Sequence, residues 1–109
     1  MNTGSNLGPL EQNIMNCLWR KEKASVRDVY SCLETSRKIA YTTVMTVMNR
    51  LVEKGLLTRE KYGKAFIYSP RKTKEQTAKG MIKRIVDSFV QQYGHEAVTA
   101  FTDELKKHQ

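Results

Sequence analysis

The most informative part of the sequence is Ala40-Tyr41-Thr42-Thr43-Val44-Met45-Thr46-Val47-Met48-Asn49-Arg50-Leu51-Val52-Glu53-Lys54-Gly55. Placed on a helix at about 100° per residue, its side chains separate by character. The apolar side consists of Val44, Val47, Met48, Leu51 and Val52, with Ala40 and Tyr41 at its N-terminal edge. The opposite side consists of Thr42, Thr43, Thr46, Asn49, Arg50 and Glu53. Gly55 follows at once and suits the left-handed position that ends a helix, so the stretch predicts one amphipathic helix.

The polar side of this helix is rich in short side chains. It carries three threonine hydroxyls, an amide and a guanidinium, where an ordinary solvated face carries Glu and Lys. Small side chains let a helix sit deep in a groove of DNA, and Thr, Asn and Arg bond to base edges and phosphates. The pattern is therefore typical of a recognition helix. The alternative is a threonine-rich surface helix without a partner.

Two shorter helical patterns precede the recognition helix. Pro9 suits the first turn of a helix that runs to about Arg20. Its apolar stripe is Leu10, Ile14, Cys17 and Leu18. Ser25 is a good N-cap, and Asp28 completes a partial capping box for a second helix to about Glu34. This order is the helix-turn-helix arrangement, in which the last helix enters the major groove.

After Gly55 the apolar pattern changes from the period of a helix to the period of a strand. Alternation begins at Leu57, and Tyr62-Gly63-Lys64 turns the chain. A second β-prone run, 65–68, returns it, and Pro70 ends the run. A glycine in a short loop between two such runs predicts a hairpin. Because it follows a recognition helix, we interpret the hairpin as a wing in preference to a sheet edge with solvating charges.

The candidate DNA contacts lie on the recognition helix, on the connection before it and on the wing. The candidates for the major groove and flanking phosphates are Thr42, Thr43, Thr46 and Arg50, with Tyr41 and Asn49 at the edge of the same face. The candidates for phosphate contacts are Lys38, Arg59, Lys61 and Lys64. The alternative function is a winged helix that docks on a protein. Such a surface is expected to carry aromatics or Leu in place of Thr and Arg.

From Thr73 onward the sequence again has helical spacing, and its apolar side chains are left over once a winged helix is complete. The candidates for a dimerisation seam are Ile82, Ile85, Val86, Phe89, Tyr93, Phe101 and Leu105. A second copy of the chain is the economical cover for them, and packing onto the first helix is the alternative. We therefore expect a mainly α protein with one small β-hairpin. Its parts are a flexible arm (1–7), a winged-helix DNA-binding domain (8–70) and a helical dimerisation region (71–109).

The composition favours a polyanionic partner over catalysis. The 109 residues carry a formal charge of +8, with a pI of about 9.7. The sequence contains no phosphate loop, nucleophile elbow or Cys-x-x-Cys spacing, so we expect no enzyme activity, metal or cofactor. Without a secretory signal or a long apolar run, we expect a cytoplasmic protein that does not insert into membranes. Cys17 and Cys32 are interpreted as reduced, packed hydrophobes, with a disulfide or metal site as the alternative.

Several motifs resemble the penicillinase-repressor family, which also contains methicillin-resistance regulators and some copper-responsive repressors. The resemblance begins with Leu10…Ile14-Met15…Leu18-Trp19 and Ala24-Ser25-Val26-Arg27-Asp28-Val29. Its most specific parts are Tyr41-Thr42-Thr43-Val44, Arg50-Leu51 and Glu53-Lys54-Gly55-Leu56-Leu57, followed by Gly63-Lys64-Ala65-Phe66-Ile67-Tyr68-Ser69-Pro70. It covers roughly residues 7–93.

The resemblance implies a homodimeric winged-helix repressor that binds inverted repeats in promoters, such as those of a resistance or stress-response operon. In the antibiotic-resistance members it also implies inactivation by a protease, which cuts an Asn-Phe bond in the dimerisation domain after a membrane sensor signals. The nearest equivalent here is Ala100-Phe101, where the asparagine is absent and the following tail is shorter. Copper-responsive members carry a C-terminal cysteine cluster, and residues 70–109 contain no cysteine. The resemblance therefore does not imply that mode of induction for these residues.

Overall fold

The computed structural model describes residues 7–109, which divide into two compact units after Lys74. The first, which we call the winged-helix unit, contains α1 (Pro9–Lys21), α2 (Val26–Glu34), α3 (Tyr41–Glu53), β1 (Leu57–Tyr62) and β2 (Ala65–Pro70). The second, the C-terminal helical unit, contains α4 (Lys74–Tyr93) and α5 (His95–Lys106). This order of elements confirms the predicted fold class.

The predicted boundaries differ from these units at both ends of the winged helix. Most of the predicted arm, 1–7, lies outside the described residues. Leu7 itself is half-buried against the core and therefore belongs with the folded unit. The division after Lys74 falls slightly beyond the predicted boundary at residue 70, because the chain makes further contacts with the winged helix before α4 starts. One of these contacts is a 3.0 Å hydrogen bond from Trp19 Nε1 to the carbonyl oxygen of Lys72.

Local sequence explains where the first two helices begin. Pro9 is the first residue of α1, where a missing N–H leaves no hydrogen bond unmade. α2 begins with the predicted capping box: Ser25 Oγ accepts from the Asp28 N–H, and Asp28 Oδ2 accepts from the Ser25 N–H, both at 3.1 Å. At α1 the Gly8 N–H donates to Glu11 Oε1 at 3.1 Å. In both helices a carboxylate satisfies an amide at the N-terminal end.

The end of α3 is set by Gly55, whose φ of 82° is the predicted left-handed conformation. Leu56 N–H donates to the Leu51 carbonyl at 3.0 Å, and Gly55 N–H donates to the Val52 carbonyl at 3.0 Å. These two bonds form a Schellman motif, which turns the chain out of the helix and satisfies carbonyls that would otherwise lack partners. A residue with a side chain would be strained at this φ.

The predicted hairpin is present as an antiparallel pair, β1 with β2. Its register opposes Leu57 to Pro70 and Tyr62 to Ala65, which leaves the two-residue loop Gly63-Lys64. Gly63 has a φ of 61°, the positive value that the first position of a type II′ hairpin turn requires. The segment after α1 joins the edge of the sheet through Ala24, which exchanges two backbone hydrogen bonds with Tyr68. The wing is thus tied to the helices at its base.

The core of the winged-helix unit lies between its three helices and the hairpin. α3 buries the predicted apolar stripe: Val44, Val47, Met48 and Leu51 are buried, and Val52 is half-buried. The residues packed against that stripe include Ile14, Met15, Leu18, Val29, Leu33, Leu57 and Tyr68. The polar side of α3 therefore faces away from the core.

The C-terminal helical unit buries very little. Among its described residues only Ala97 is buried, and α4 has no buried residue along its length. Phe89 packs against Phe101 with ring centroids 5.7 Å apart and against Tyr93 at 6.0 Å. These contacts pair α4 with α5, while most of the apolar side chains on both helices stay exposed.

Within residues 7–109 no helix combines the length and the apolar character needed to cross a membrane. The same residues contain no group of three or more His, Cys, Asp or Glu side chains close enough to hold a metal ion.

One ion pair connects the start of α1 with the end of α3. Lys54 Nζ lies 2.6 Å from Glu11 Oε2, and the Glu11 side chain is only 15% exposed. Burial acts to raise the pKa of Glu11, but Lys54, the Gly8 N–H and Arg50 together outweigh it, so this pKa lies below its usual value. A lowered carboxyl pKa stabilises the folded state above the unfolded-state pKa, and this contribution is lost as pH falls through the folded-state pKa.

We expect Lys54→Met to destabilise the winged-helix unit at pH 7 by about 0.5–1 kcal/mol, the usual range for a partly exposed ion pair. At a pH well below 4.5, the ordinary pKa of the Glu11 carboxyl, the difference from the parent should shrink, because Glu11 is then protonated in both proteins. Urea unfolding at the two pH values measures this. Lys23→Met, at an exposed position between α1 and α2, is the matched control. An equal loss at both pH values would contradict the ion-pair explanation.

Candidate nucleic-acid interface

The exposed side of α3 forms an open groove. Thr42, Thr43, Thr46 and Arg50 are all exposed and line it. Val47 completes the lining, and the groove has a volume of about 240 Å³. Three of these side chains are short, so the backbone of α3 lies near the surface. This geometry suits insertion into a groove of DNA, with Arg50 reaching beyond the threonines.

The N-terminus of α3 differs from those of α1 and α2. Its N-cap, Ala40, has no side-chain acceptor, and the first turn contains no acidic residue. The N-terminal ends of α1 and α2 instead have Glu11 and Asp28 as acceptors. Because helix N-termini carry partial positive charge, an uncapped end without a carboxylate is favourable for a phosphate.

Tyr41 lies at this uncapped end and is held in an aromatic cluster. Its ring makes an edge contact with Tyr30 at 5.7 Å, and the Arg27 guanidinium stacks over it at 5.5 Å. Tyr41 remains 37% exposed. The cluster brings Arg27, from the first turn of α2, to the same end of α3. Arg27 is therefore a cation of this surface that the list of candidates from the sequence did not include.

Asn49 has a structural role that its sequence position did not reveal. Its Oδ1 accepts a hydrogen bond from Arg59 Nη1 at 2.7 Å and a second from the Tyr68 hydroxyl at 2.8 Å. Tyr68 is only 2% exposed, so this contact lies at the edge of the core. Asn49 therefore joins α3 to both strands of the wing, and its carbonyl oxygen is already engaged. We assign it to positioning the wing, and its predicted edge contact with DNA stays a prediction.

Arg59 is likewise engaged inside the unit. Besides its bond to Asn49, its guanidinium lies 4.5 Å from the centre of the Phe66 ring. The two residues are diagonal neighbours on one face of the hairpin, because Arg59 opposes Tyr68 in the register. The guanidinium keeps further N–H donors for a phosphate, but its position is fixed by Asn49 and Phe66.

The remaining basic candidates are all exposed. Lys64 lies in the turn of the wing, and Lys61 precedes it on β1, opposite Phe66. Lys38 lies in the connection between α2 and α3. The threonine face of α3, its uncapped N-terminus and the basic wing thus all belong to the winged-helix unit.

The candidate dimerisation residues all lie on the C-terminal helical unit. Ile82, Ile85, Phe89, Tyr93 and Leu105 are exposed, and Val86 and Phe101 are half-buried. An open apolar pocket with a volume of about 470 Å³ lies between the two helices. It is lined by Phe89, Tyr93, Glu96, Ala97, Ala100, Phe101 and Glu104. The bond between Ala100 and Phe101 lies inside α5. Cleavage there would require the helix to unfold locally, because proteases act on extended backbone.

Comparison with known proteins identifies the family. The profile described as penicillinase repressor matches residues 7–109. The chain belongs to the penicillinase repressor family. This confirms the resemblance seen in the sequence. The family description and the relative's name are those of regulators of transcription, which agrees with the expected absence of enzyme activity.

Two curated relatives of this penicillinase-repressor family member extend the comparison. The transcriptional regulator BlaI of Mycobacterium tuberculosis (strain ATCC 25618 / H37Rv) is 38% identical over 86 residues, which cover 78% of this chain and 60% of that protein. The methicillin resistance regulatory protein MecI of Mammaliicoccus sciuri is 29% identical over 79 residues, which cover 69% of this chain and 64% of that protein. The family member therefore spans less than two thirds of the length of either relative.

A solved structure supports the winged-helix fold of this family member. It is the monomeric form of Bacillus licheniformis BlaI in complex with the blaP half-operator. The TM-score is 0.56 at 24% sequence identity, and the match covers 64% of this chain and 85% of that chain. At this level of identity the likeness shows the shared fold.

The assignment of Asn49 predicts a stability effect. Asn49→Ala should destabilise the winged-helix unit by about 1–3 kcal/mol, because the buried Tyr68 hydroxyl loses its acceptor. Tyr68→Phe removes the donor, so the double variant should be less destabilised than the sum of the single changes. Urea unfolding of the four proteins gives this coupling energy. Thr46→Ala, at an exposed position on the same helix, is the control and should change stability little. Normal stability in Asn49→Ala would contradict the assignment of that residue to positioning the wing.

Proposed function

We propose that this family member is a sequence-specific DNA-binding repressor that acts as a homodimer on inverted-repeat operators. The observation that supports this most strongly is the exposed face of α3, where Thr42, Thr43, Thr46 and Arg50 line one groove. Base edges in the major groove offer donors, acceptors and the thymine methyl group, which are the groups that Arg and Thr recognise. Membership in a family of repressors supports the same conclusion.

In this proposal α3 enters the major groove, and Arg50 reads a base edge while the threonines approach bases and nearby phosphates. The uncapped end of α3, with Arg27 stacked on Tyr41, meets the phosphate backbone at one side. Lys61 and Lys64 of the wing, together with Lys38, provide further phosphate contacts. Asn49 holds the wing on α3, so that both parts meet the DNA in one fixed relation. Proteins that read DNA in this way fix their register through phosphates and their specificity through bases.

The homodimer is supported by the apolar side chains that the single chain leaves exposed. Ile82, Ile85, Phe89, Tyr93 and Leu105 are exposed, and five such side chains on two neighbouring helices are unusual for a surface that stays in water. A second copy would cover them symmetrically. Two winged helices held together would bind two half-sites, and linkage of this kind raises affinity by effective concentration.

Docking on a protein partner is the rival function. A protein-binding surface is enriched in aromatics and Met and poor in short hydroxyl side chains at its centre. On α3 only Tyr41 and Met45 are exposed large hydrophobic residues, and Tyr41 lies at the N-terminal end. The centre of the face is Thr and Arg, which favours DNA.

The proposal places the protein in the cytoplasm with the DNA that it regulates, and a resistance or stress-response operon is the kind of target we expect. An inactivating protease would act on the C-terminal helical unit, where the nearest equivalent of the family's cleavage site is Ala100-Phe101. The Ala100-Phe101 bond lacks the family's asparagine and lies within α5. We therefore expect that cleavage at this bond would need local unfolding of the helix first.

Arg50→Ala and Lys64→Ala should differ in how their loss of binding depends on the DNA sequence. On a duplex selected by the protein from a random library, Arg50→Ala should weaken binding by about 1–3 kcal/mol, and on random DNA by much less, because it reads a base. Lys64→Ala should weaken both alike and lessen the slope of log affinity against log salt by about one. Mobility shift titrations across salt concentrations measure both. Equal losses on the two DNAs for Arg50→Ala would make it a phosphate contact. Failure to select any duplex would favour the protein-docking function.

A charged side chain introduced into the candidate dimerisation seam tests the homodimer. Ile82 is 58% exposed in the single chain, so Ile82→Lys should leave the helix folded but place a charge in the proposed interface. Sedimentation should show the parent as a dimer and Ile82→Lys shifted toward monomer, with unchanged helical circular dichroism. Gln91→Lys adds the same charge on the opposite side of α4 and should remain a dimer. A parent that sediments as a monomer at micromolar concentration would contradict the homodimer.

A further inference from the structure

The two cysteines of the chain lie on two helices that pack against each other, α1 and α2. Cys17 lies on α1 in the buried core, and Cys32 lies on α2, half-buried against that core. Arg20 follows Cys17 by three residues and so lies on the same face of α1. Its Nη2 donates to Cys32 Sγ at 2.8 Å, which independently places this face of α1 over Cys32. The sequence placed both cysteines among packed hydrophobes but gave no sign that Arg20 contacts Cys32.

The two thiols have different surroundings. Cys17 is 1% exposed and belongs to the hydrophobic core. Cys32 is half-buried at the edge of that core, where the exposed Arg20 covers its sulfur. Cys32 is therefore the more exposed of the two cysteines. The predicted packing among hydrophobic residues holds for both cysteines, although Cys32 is only partly buried.

The protonation state of Cys17 indicates which of the two cysteines reacts first. Burial raises the pKa of Cys17 to about 12, and the hydrogen bond and charge of Cys32 act in the same direction. Cys17 is thus a thiol at neutral pH while Cys32 is reduced. A protonated thiol is a poor nucleophile. Cys17 therefore does not attack peroxide first.

We propose that Cys32 and Cys17 form a peroxide-reactive thiol pair, in which Cys32 is oxidised first and Cys17 then closes an intramolecular disulfide. The proposal does not depend on DNA binding. Its basis is the position of both cysteines where α1 packs on α2, the greater exposure of Cys32 and the guanidinium on Cys32 Sγ. A guanidinium beside a sulfur stabilises negative charge that develops there.

The reaction uses one hydrogen peroxide or organic hydroperoxide for each disulfide. Cys32 sulfur attacks a peroxide oxygen, so an S–O bond forms and the O–O bond breaks. The products are the Cys32 sulfenic acid and water, or an alcohol from an organic hydroperoxide. Cys17 sulfur then attacks Cys32 sulfur, so the S–S bond forms and the S–O bond breaks. The hydroxide that leaves takes the Cys17 proton as water. Two thiols are oxidised and one peroxide is reduced.

The disulfide would connect α1 to the helix that precedes the recognition helix. It would close a loop that contains the turn between α1 and α2, residues 22–25. Cross-links of this kind restrict the unfolded chain and make unfolding less favourable when the native geometry tolerates them. The disulfide would lie at the core against which α3 packs, since Cys17 belongs to the same cluster as Val44 and Met48.

The test treats the reduced full-length protein with equimolar hydrogen peroxide and then with N-ethylmaleimide. Mass spectrometry of the parent should show a Cys17–Cys32 linked peptide pair and an intact monomer lighter by two hydrogens. Dithiothreitol should restore both thiols. Cys17→Val should stop at the Cys32 sulfenic acid, which dimedone captures. Cys32→Ser should leave Cys17 unoxidised and open to maleimide only after denaturation. Circular dichroism confirms that each variant is folded.

Arg20→Gln tests the guanidinium. It should slow disulfide formation several-fold, whereas Arg37→Gln, which removes the same charge from the exposed connection after α2, should leave the rate unchanged. An unchanged rate in Arg20→Gln would overturn the part assigned to Arg20. Two fully maleimide-reactive thiols in the parent after peroxide would overturn the proposal. Oxidation that yields only chains linked to each other through Cys32 would overturn it too.

Discussion

The burial of one side of α3 is the constraint on which the rest of the winged-helix unit depends. Val44, Met48 and Leu51 are fully buried, and they contact a core built from α1, α2 and the hairpin. Truncation of a single side chain of this kind typically costs about 2–5 kcal/mol, a large part of the stability of a small domain. The buried stripe also fixes the rotation of the helix about its axis. The threonines and Arg50 can face outward together only because the opposite side has no freedom to turn.

A second fixed relation is built on the first. The hairpin is short, and a two-stranded hairpin alone is marginally stable in water. Here it is held by Tyr68 in the core, by the backbone bonds of Ala24 and by the two bonds that Asn49 accepts. A polar residue on the recognition helix therefore serves the wing. The molecule uses one side of α3 for packing, the opposite side for an open groove and the margin between them for attachment.

Features that depend on residues close together in the sequence could be predicted. Features that depend on contacts between residues far apart in the sequence could not. The limits of α3, the capping box of Ser25 and Asp28, and the turn at Gly63 all depend on residues within a few positions of each other. Asn49 and Arg59 had the right residue types for DNA contacts, but no periodicity reveals that their side chains meet. The contact of Arg27 with Tyr41 was hidden for the same reason. A possible signal was present, since Arg27 is a lone cation in the first turn of a helix that should lie against the backbone of DNA.

The bare N-terminus of α3 has a consequence for the balance between stability and binding. Serine or aspartate in place of Ala40 would cap the helix and typically stabilises a protein by about 1 kcal/mol. The same side chain would occupy the first amides and present an oxygen, or a full negative charge, to an approaching phosphate. Position 40 is therefore one where a substitution that stabilises the fold would weaken the binding of a phosphate. If the proposed DNA binding is correct, a form of this domain selected for stability alone would lose DNA affinity when it acquires such a cap.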